Sequence, residues 1–316
     1  IMDNYQNDLS NIVIVLPNKR AKVFLIEAFK NKISKSIFAP EIVSIEDLIQ
    51  NISNIRLLDP IELLFEFYDV YLSLTDKKNQ QEFELFANWA KTLIQDFNEI
   101  DRYLLDPNLI LTYLKDIEDI KKWGVEIENK TKLLENYIDF WKLLPLYYQT
   151  FYNHLLKKNC GYQGLIYREA DKNFDSFFNK SDKKFLFGGF NALNAAEEKI
   201  IQKLLFNNQA EIFWDCDLAH FNDTQHDASL FLRRFKNNWK QYKTKPFEWF
   251  FNDYSQPKNI SIIGTPKTIG QAKIVGGIIE KIKNQNLNAP LNNVAVVLGE
   301  EKLLIPMLYA LPNNVD

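Results

Sequence analysis

Residues 185–199, FLFGGFNALNAAEEK, contain the change from strand to helix that decides the fold. The run FLF is apolar and typical of a buried strand, and Gly188 and Gly189 follow it at a turn. A helical pattern begins directly afterwards. The same strand-turn-helix pattern occurs near the N-terminus. There the apolar run IVIVL at 12–16 ends at Pro17, and NKR leads into the helical pattern AKVFLIEAFKNKI. Strands that alternate with helices in this way predict parallel α/β layers.

Two further segments extend this strand-and-helix pattern before residue 255. PEIVSIEDLIQNI predicts a strand and then a helix with Ser44 as N-cap and Asp47 three residues later. AEIFWDCD, which starts at Ala210, predicts another strand. Beyond a polar linker near residue 255, ISIIGT and NVAVVL alternate with helical patterns and predict the strands of a second α/β unit.

A helical region separates the early strands from the later ones. It opens with Asp59 as N-cap, Pro60 in the first turn and Glu62 completing a capping box. Several segments with apolar residues at helical spacing follow, and Pro145 is expected to kink or divide the last of them. The region is therefore predicted to be a helical insert packed on itself.

The chain is accordingly expected to be helix-rich overall, with an α/β domain interrupted by the insert. The predicted segments are residues 1–58 for the first part of domain 1, 59–180 for the insert, 181–254 for the rest of domain 1, and 259–316 for the start of a second α/β domain. Because two predicted strands cannot make a self-sufficient domain, we expect the sequence to be an N-terminal part of a longer protein.

The composition of the chain limits which classes of protein it can belong to. The 316 residues carry a formal net charge of −3, so nucleic-acid binding would depend on local basic patches. The two cysteines, Cys160 and Cys216, are too few for a disulfide framework and favour a reducing compartment. Since the sequence has neither a long apolar run nor a signal-peptide pattern, we expect a cytoplasmic protein without membrane contact.

Catalytic motifs are missing from the sequence. There is no GxxxxGK[ST] phosphate loop, and the nearest approach to one, GTPKTIGQA from Gly264, is better interpreted as a capped turn. No Pro-Asp pair at a strand end indicates a PD-(D/E)xK nuclease site, and no GxSxG elbow indicates a serine nucleophile. No catalytic residue and no cofactor site are therefore predicted within these 316 residues.

One short segment contains several side chains that can bind metals: Asp215, Cys216, Asp217, His220 and His226. Its Cys-x3-His-x5-His spacing lacks the fourth ligand of the usual zinc patterns. We therefore favour packing for the cysteine and predict no metal site.

Two basic clusters remain as candidate binding surfaces. PNKRAK has Asn18, Lys19 and Arg20 at a strand-to-helix turn, where basic side chains and free amides suit a phosphate. FLRRFKNNWK adds Arg233 and Arg234 near an aromatic ring, which is typical of a weaker nucleic-acid or protein surface.

The order of these segments resembles the N-terminal third of AddB-type subunits of bacterial helicase-nucleases, which process DNA double-strand ends. The segments are IVIVLPNKRAKVFL, PEIVSIEDLI, the helical insert, FLFGGFNALNAAEEKIIQKL, AEIFWDCD, ISIIGTPKTIGQAKIVGGII and NVAVVLGEEKLLIPMLYALP. The chain is also similar to PD-(D/E)xK nuclease family proteins of Bacteroidetes. The resemblance spans nearly the whole chain and depends on the order of the segments, because no single motif is decisive.

The resemblance implies a UvrD-like architecture, in which a helical insert interrupts one RecA-like domain and a second RecA-like domain follows. It gives Asn18, Lys19, Arg20 and Ser44 a role in contacting single-stranded or forked DNA. It also implies a distant C-terminal nuclease domain that uses Mg²⁺, and a partner of the AddA type.

FLFGGFNAL would then occupy the Walker B place, where Gly188 and Gly189 replace the metal-holding acids. The sequence thus predicts a helicase-like scaffold for DNA repair that binds DNA without hydrolysing ATP. Two alternatives stay open. One is a protein-interaction scaffold that docks through the helical insert and has no direct DNA contact. The other is a small-molecule enzyme that uses the crevice of the sheet.

Overall fold

The structure is a computed structural model that describes residues 9–33, 37–113, 132–179, 182–248, 250–285 and 291–312. The chain forms two compact units, Ile1–Ser255 and Gln256–Asp316. The strands of the larger unit are β1 (Ile12–Leu16), β2 (Glu41–Ser44), β3 (Arg56–Leu57), β4 (Cys160–Gly161), β5 (Lys184–Gly188), β6 (Ala210–Phe213), β7 (Cys216–Asp217) and β8 (Phe250–Phe251). Its helices are α1 (Lys19–Lys32), α2 (Ile45–Ser53), α3 (Pro60–Leu74), α4 (Phe83–Arg102), α5 (Lys132–Lys157), α6 (Gln163–Phe178), α7 (Ala195–Phe206), α8 (Leu218–Asn222) and α9 (Leu230–Asn238).

A four-strand parallel sheet with the order β2-β1-β5-β6 organises the larger unit. Leu16 pairs with Ser44 on one side of β1, and Val15 pairs with Phe187 on the other. Two smaller parallel pairs, β3 with β4 and β7 with β8, lie outside this sheet. The prediction of a helix-rich α/β protein with parallel strands is therefore confirmed.

Both faces of β1 are buried, as its continuous apolar run requires. Val13 and Val15 join the main core, which also contains side chains of α2, α6 and α7. Ile12 and Ile14 point to the opposite face, where a smaller core includes Leu25 of α1. Successive side chains of a strand alternate between faces, so one strand anchors both layers.

The helices between β2 and β5 pack around aromatic side chains. Phe67 of α3 is fully buried, and its ring lies 4.8 Å from Phe151 of α5 and 5.4 Å from Phe86 of α4. The predicted capping box at the start of α3 is confirmed, because the Asp59 side chain accepts backbone hydrogen bonds and the Glu62 side chain accepts from the Asp59 amide.

The sequence predicts that Pro145 kinks or divides this helix, and the division does not occur, because α5 is one continuous helix from Lys132 to Lys157. Proline removes one backbone hydrogen bond from a helix interior. Leu144 and Tyr147, on either side of Pro145, are both buried in the main core. Tertiary packing on this face therefore holds the helix together across the missing bond.

A buried carboxylate ties three of these helices together. Asp101 of α4 accepts hydrogen bonds from Tyr148 of α5 (2.6 Å), from Tyr162 (2.5 Å) and from the Arg168 guanidinium of α6 (2.5 Å). Burial raises the pKa of Asp101, while the two tyrosines and the arginine oppose this rise. A buried charge with several partners is costly to break, so this contact fixes how α4, α5 and α6 are placed.

The smaller unit contains α10 (Thr268–Gln285) and α11 (Leu304–Ala310), which pack through Ala272, Ile279 and Met307. The prediction of strands at 260–265 and 293–298 is wrong, because these described residues form no strand ladder. Apolar β-branched residues favour extended backbone, but a strand also needs a hydrogen-bonded neighbour. Neither run has such a neighbour within the described part of the unit.

Among the described residues, no helix combines the length and the apolar composition that crossing a bilayer requires.

Candidate functional site

The carboxyl ends of the four parallel strands meet along one edge, which we call the carboxyl edge. Its strands end at Leu16, Ser44, Gly188 and Phe213. Because β2 and β5 lie on opposite sides of β1, the direction of strand order reverses between β1 and β5. Ligands of open α/β sheets bind outside the carboxyl ends of the strands at such a switch point. The carboxyl edge is therefore the candidate functional site.

Asn18 and Ser44, two of the predicted site residues, cap the helices that leave this edge. Asn18 Oδ1 accepts a hydrogen bond from the Ala21 amide (3.0 Å). Ser44 Oγ accepts from the Asp47 amide (3.1 Å) and donates to Asp47 Oδ2 (2.8 Å), so the predicted cap of α2 is confirmed. Ser44 is buried, whereas Asn18 is exposed. Of these two side chains, Asn18 is the one that a ligand can reach.

Lys19 and Asp47 join the two helix starts in an ion pair, with 2.9 Å between Lys19 Nζ and Asp47 Oδ1. The hydrogen bond to Asp47 is the main reason that the pKa of Lys19 is raised. Burial alone would raise the pKa of Asp47, but the hydrogen bonds from Lys19 and Ser44 outweigh burial and lower it. Both side chains are charged at neutral pH, so Asp47 partly neutralises the positive charge that the sequence predicts at this turn.

Arg20 lies beside this pair in the first turn of α1, where its side chain is exposed. It forms no ion pair with any residue that the structure describes. Arg20 is thus an accessible cation at the start of a 14-residue helix, whose free amides also favour anions.

Gly188 and Gly189 lie directly across the switch point from β1. A Cβ atom built on Gly188 would have no heavy atom within 4 Å, so this position is open. Gly189 has φ +76°, a left-handed conformation that glycine adopts without strain. Its closest neighbours, at 3.9 Å from a built Cβ, are atoms of Pro17. The two glycines therefore leave space beside the turn that follows β1.

The first acid after this turn is Glu197 in α7, and its carboxylate is already engaged. Glu197 Oε2 accepts from the Asn194 amide (3.0 Å), and Oε1 accepts from the Tyr167 hydroxyl (3.2 Å). Burial raises the pKa of Glu197, with partial opposition from these hydrogen bonds. The side chain closes the N-terminal cap of α7 and links it to α6, which is a structural role.

A cleft of about 700 Å³ opens next to the Lys19–Asp47 pair. Leucine, isoleucine and tyrosine side chains of residues 57–58, α3, α4 and the start of α6 form its apolar walls. Helix α2 contributes only polar side chains, and Lys91 and several carboxamides add to the polar part of the lining. This volume is in the range of ligand-binding sites. The sequence did not predict the cleft, because its walls come from helices that are far apart in the chain.

Arg233 and Arg234, the second predicted cluster, do not join the carboxyl-edge residues. The Arg233 guanidinium donates to three backbone carbonyl oxygens, those of His220 (2.8 Å), Asp223 (2.9 Å) and His226 (2.7 Å). Arg234 pairs with Glu198 of α7 at 3.0 Å. Arg233 therefore holds the loop after α8 in place, and Arg234 ties α9 to α7.

The cysteine and histidines near residue 220 form no metal-ligand group among the described residues. Cys216 is buried, which fits the packing role expected for it. His226 Nδ1 accepts from the Ala228 amide at 3.1 Å, and its ring lies 4.5 Å from the ring of His220. These side chains stabilise their own loop.

Comparison with known proteins adds no family assignment. No protein-family model matches the chain, and no curated protein matches it significantly.

Proposed function

We propose that this chain is a helicase-like scaffold that binds single-stranded or forked DNA along the carboxyl edge and does not hydrolyse ATP. On this proposal it belongs to an AddB-type subunit of a bacterial DNA-repair helicase-nuclease in the cytoplasm. Its partner would be an AddA-type subunit, and Mg²⁺ would serve a nuclease domain outside these residues. The observation that carries the proposal is the position of Lys19 and Arg20 at the switch point of the parallel sheet, opposite an open glycine turn.

The electrostatics of the first turn of α1 support a phosphate contact. Arg20 is exposed, and Lys19 retains 72% of its side-chain exposure despite its ion pair. Backbone amides at a helix start add to the attraction for an anion. Because Asp47 offsets one of the two cations, we expect binding to be modest and strongly dependent on salt.

Two features support the absence of ATP hydrolysis. Phosphoryl transfer needs cations that hold the phosphates and an acid that holds the metal ion. The sequence has no GxxxxGK[ST] loop, and β5 ends in glycine instead of an acid. Glu197, the next acid, is occupied by its cap and by Tyr167.

The arrangement of elements supports the finer proposal of a RecA-like domain with a helical insert. Helices α3 to α6 lie between β2 and β5 in the sequence, and β1 and β5 are adjacent in the sheet. In the proposed architecture the DNA-contacting turn follows β1, and the degenerate Walker B turn follows β5. The adjacency of these strands brings both turns to one site.

Fluorescence anisotropy with labelled single-stranded and forked DNA tests the proposal. Lys19→Ala combined with Arg20→Ala should weaken binding and reduce the salt slope by about 0.7 for each lost phosphate contact. Lys30→Ala combined with Lys32→Ala is a matched control, because it removes two cations from the far end of the same helix. Equal binding by both double variants, or DNA-stimulated ATP hydrolysis by the wild type, would contradict the proposal.

A protein-interaction scaffold is the second candidate, and an exposed apolar surface favours it. Ile61 and Phe65 of α3 are 66% and 55% exposed, and Leu85 of α4 is 59% exposed. Phe65 also stacks on Phe83, with 4.7 Å between ring centroids. Unchanged DNA binding by the Lys19 and Arg20 double variant, together with loss of partner binding in Phe65→Ser, would favour this function.

A further inference from the structure

Two helices of the insert bring together three metal-ligand side chains. Glu66 and Asp69 lie one turn apart on α3, and His154 comes from α5. One ligand atom from each residue lies within 4.8 Å of the others. Glu66 Oε2 and His154 Nε2 are 2.6 Å apart, although the two residues are separated by 88 positions in the sequence. These three side chains meet because α3 packs against α5, and no local sequence motif contains all of them.

A lysine already supplies a positive charge to this group. Lys158 Nζ lies 2.5 Å from Glu66 Oε2, the same oxygen that contacts His154. Lys158 and His154 thus converge on one carboxylate oxygen of Glu66, so this group already holds a cation that a metal ion can replace.

We propose that Glu66, Asp69 and His154 bind one Zn²⁺ ion, which displaces Lys158 from Glu66. One imidazole nitrogen and two carboxylate oxygens are ligands that suit Zn²⁺, and water can complete a tetrahedral site. Zn²⁺ ligand bonds of about 2.0–2.2 Å place tetrahedral ligand atoms roughly 3.5 Å apart. Glu66 and His154, now 2.6 Å apart, would have to separate, and any ligand atoms near the 4.8 Å limit of the group would have to move closer together. Two carboxylates also balance the charge of the ion.

The bound ion would cross-link α3 to α5. These helices already contact each other through Phe67 and Phe151, whose ring centroids are 4.8 Å apart. Helix α3 also forms part of the cleft wall, through residues that include Leu63 and Leu64. Zn²⁺ binding would therefore stabilise the helical insert and the part of the cleft wall that α3 forms. This inference is independent of DNA binding.

Zn²⁺ titration of the metal-free full chain tests the site. Calorimetry should show one ion per chain, and Zn²⁺ should raise the melting temperature. Co²⁺ in place of Zn²⁺ should give the visible absorption bands of tetrahedral coordination. His154→Ala should lose the calorimetric signal and the absorption bands, whereas the double variant His220→Ala and His226→Ala should keep both. That control covers the other two of the three histidines in the chain.

The Zn²⁺ affinity of the Lys158→Met variant distinguishes a metal site from an ordinary ion-pair network. If Zn²⁺ takes the place of the ammonium group, removing that group should tighten Zn²⁺ binding several-fold. Three results would overturn the proposal: no stoichiometric binding by the wild type, binding that survives in folded His154→Ala, or weaker binding by Lys158→Met. Circular dichroism establishes that each variant is folded, and the Lys158→Met result stands even where His154→Ala does not fold.

Discussion

Lys19 Nζ lies 2.9 Å from Asp47 Oδ1, so the first turns of α1 and α2 share an ion pair at the carboxyl ends of two neighbouring strands. The two strands end side by side because β1 and β2 are parallel and in register from Val13 to Leu16. The pair places an acid beside a cation that we propose for DNA binding. The acid is therefore expected to limit the affinity for phosphate.

Asp47→Asn should strengthen DNA binding, because it removes the negative charge beside Lys19. An exposed ion pair contributes about 0.5 kcal/mol, which corresponds to roughly a two-fold gain in affinity at low salt. The backbone amide of residue 47 still donates to Ser44, so the helix cap is kept. Anisotropy titrations at low and high salt measure the effect.

Glu27→Gln is the control for this gain, because it removes one negative charge from the exposed surface of α1 near Lys30. Both substitutions change the net charge of the protein equally. If Asp47→Asn gains no more affinity than Glu27→Gln, the Lys19 site does not contact phosphate.

Gly189→Ala should destabilise the protein by about 1–2 kcal/mol, because an L-residue is strained in the left-handed region. Gly189 has φ +76°, and the added Cβ would meet Pro17 only at 3.9 Å, so the loss comes from the backbone and not from a clash. Gly188→Ala at the adjacent open position should change stability by no more than about 0.5 kcal/mol. Urea unfolding compares the two variants. Equal stability would show that the turn does not require the left-handed conformation.

The sequence predicted the parts of the fold that local chemistry determines. The apolar run of β1 ends at Pro17, and the α3 capping box is complete within Asp59–Glu62, so each prediction needed only a few adjacent residues. The strands expected at 260–265 and 293–298 failed because a strand also depends on a partner that the run itself does not encode.

The candidate site was harder to predict, because its contacts join distant segments. Lys19 appeared as a possible phosphate contact, but nothing in its neighbourhood of the sequence shows that Asp47 would neutralise it. Arg233 looked like a surface cation, and its three carbonyl partners become visible only in the folded loop. Glu66 and His154 likewise meet only because α3 packs on α5.

Asp171→Asn should make the protein less stable at neutral pH, with the difference disappearing in acid. Asp171 of α6 contacts Lys199 Nζ (2.5 Å) and Lys203 Nζ (2.9 Å) of α7. Burial alone would raise its pKa, but these two contacts outweigh burial and lower it. An acid whose pKa is lowered by folding adds stability above its unfolded pKa of about 3.9, and this stability is lost as the pH falls through the folded pKa.

Urea unfolding of wild type and Asp171→Asn between pH 7 and pH 2 measures this effect. The expected difference at pH 7 is about 1 kcal/mol, since the lysines remain partly solvated. Asp175→Asn on the same helix is the control, because Asp175 is exposed and makes no ion pair with a described residue. A difference for Asp171→Asn that stays constant down to pH 2 would rule out the carboxylate as its source.

Gly164→Ala should separate α6 from α4 and reduce the stability of the insert. A Cβ at Gly164 would lie 2.2 Å from the backbone oxygen of Asn98, which cannot move without shifting α4. The Asn98 side chain also accepts a hydrogen bond from the Gly164 amide at 2.7 Å, which holds the helices at this spacing. Overpacking costs about 1–3 kcal/mol and outweighs the gain of about 0.5–1 kcal/mol in helix propensity.

Gly161→Ala is the matched comparison, because its Cβ would meet Leu165 Cδ2 at 2.8 Å, at the movable end of a side chain. We expect Gly164→Ala to lose more unfolding free energy than Gly161→Ala in urea. Because Asn98 and Gln163 both line the cleft, Gly164→Ala should also change the protection of cleft-wall amides in hydrogen exchange. Unchanged stability and unchanged exchange in Gly164→Ala would mean that the contact between α4 and α6 is not close-packed in solution, and the cleft would then lack a fixed wall.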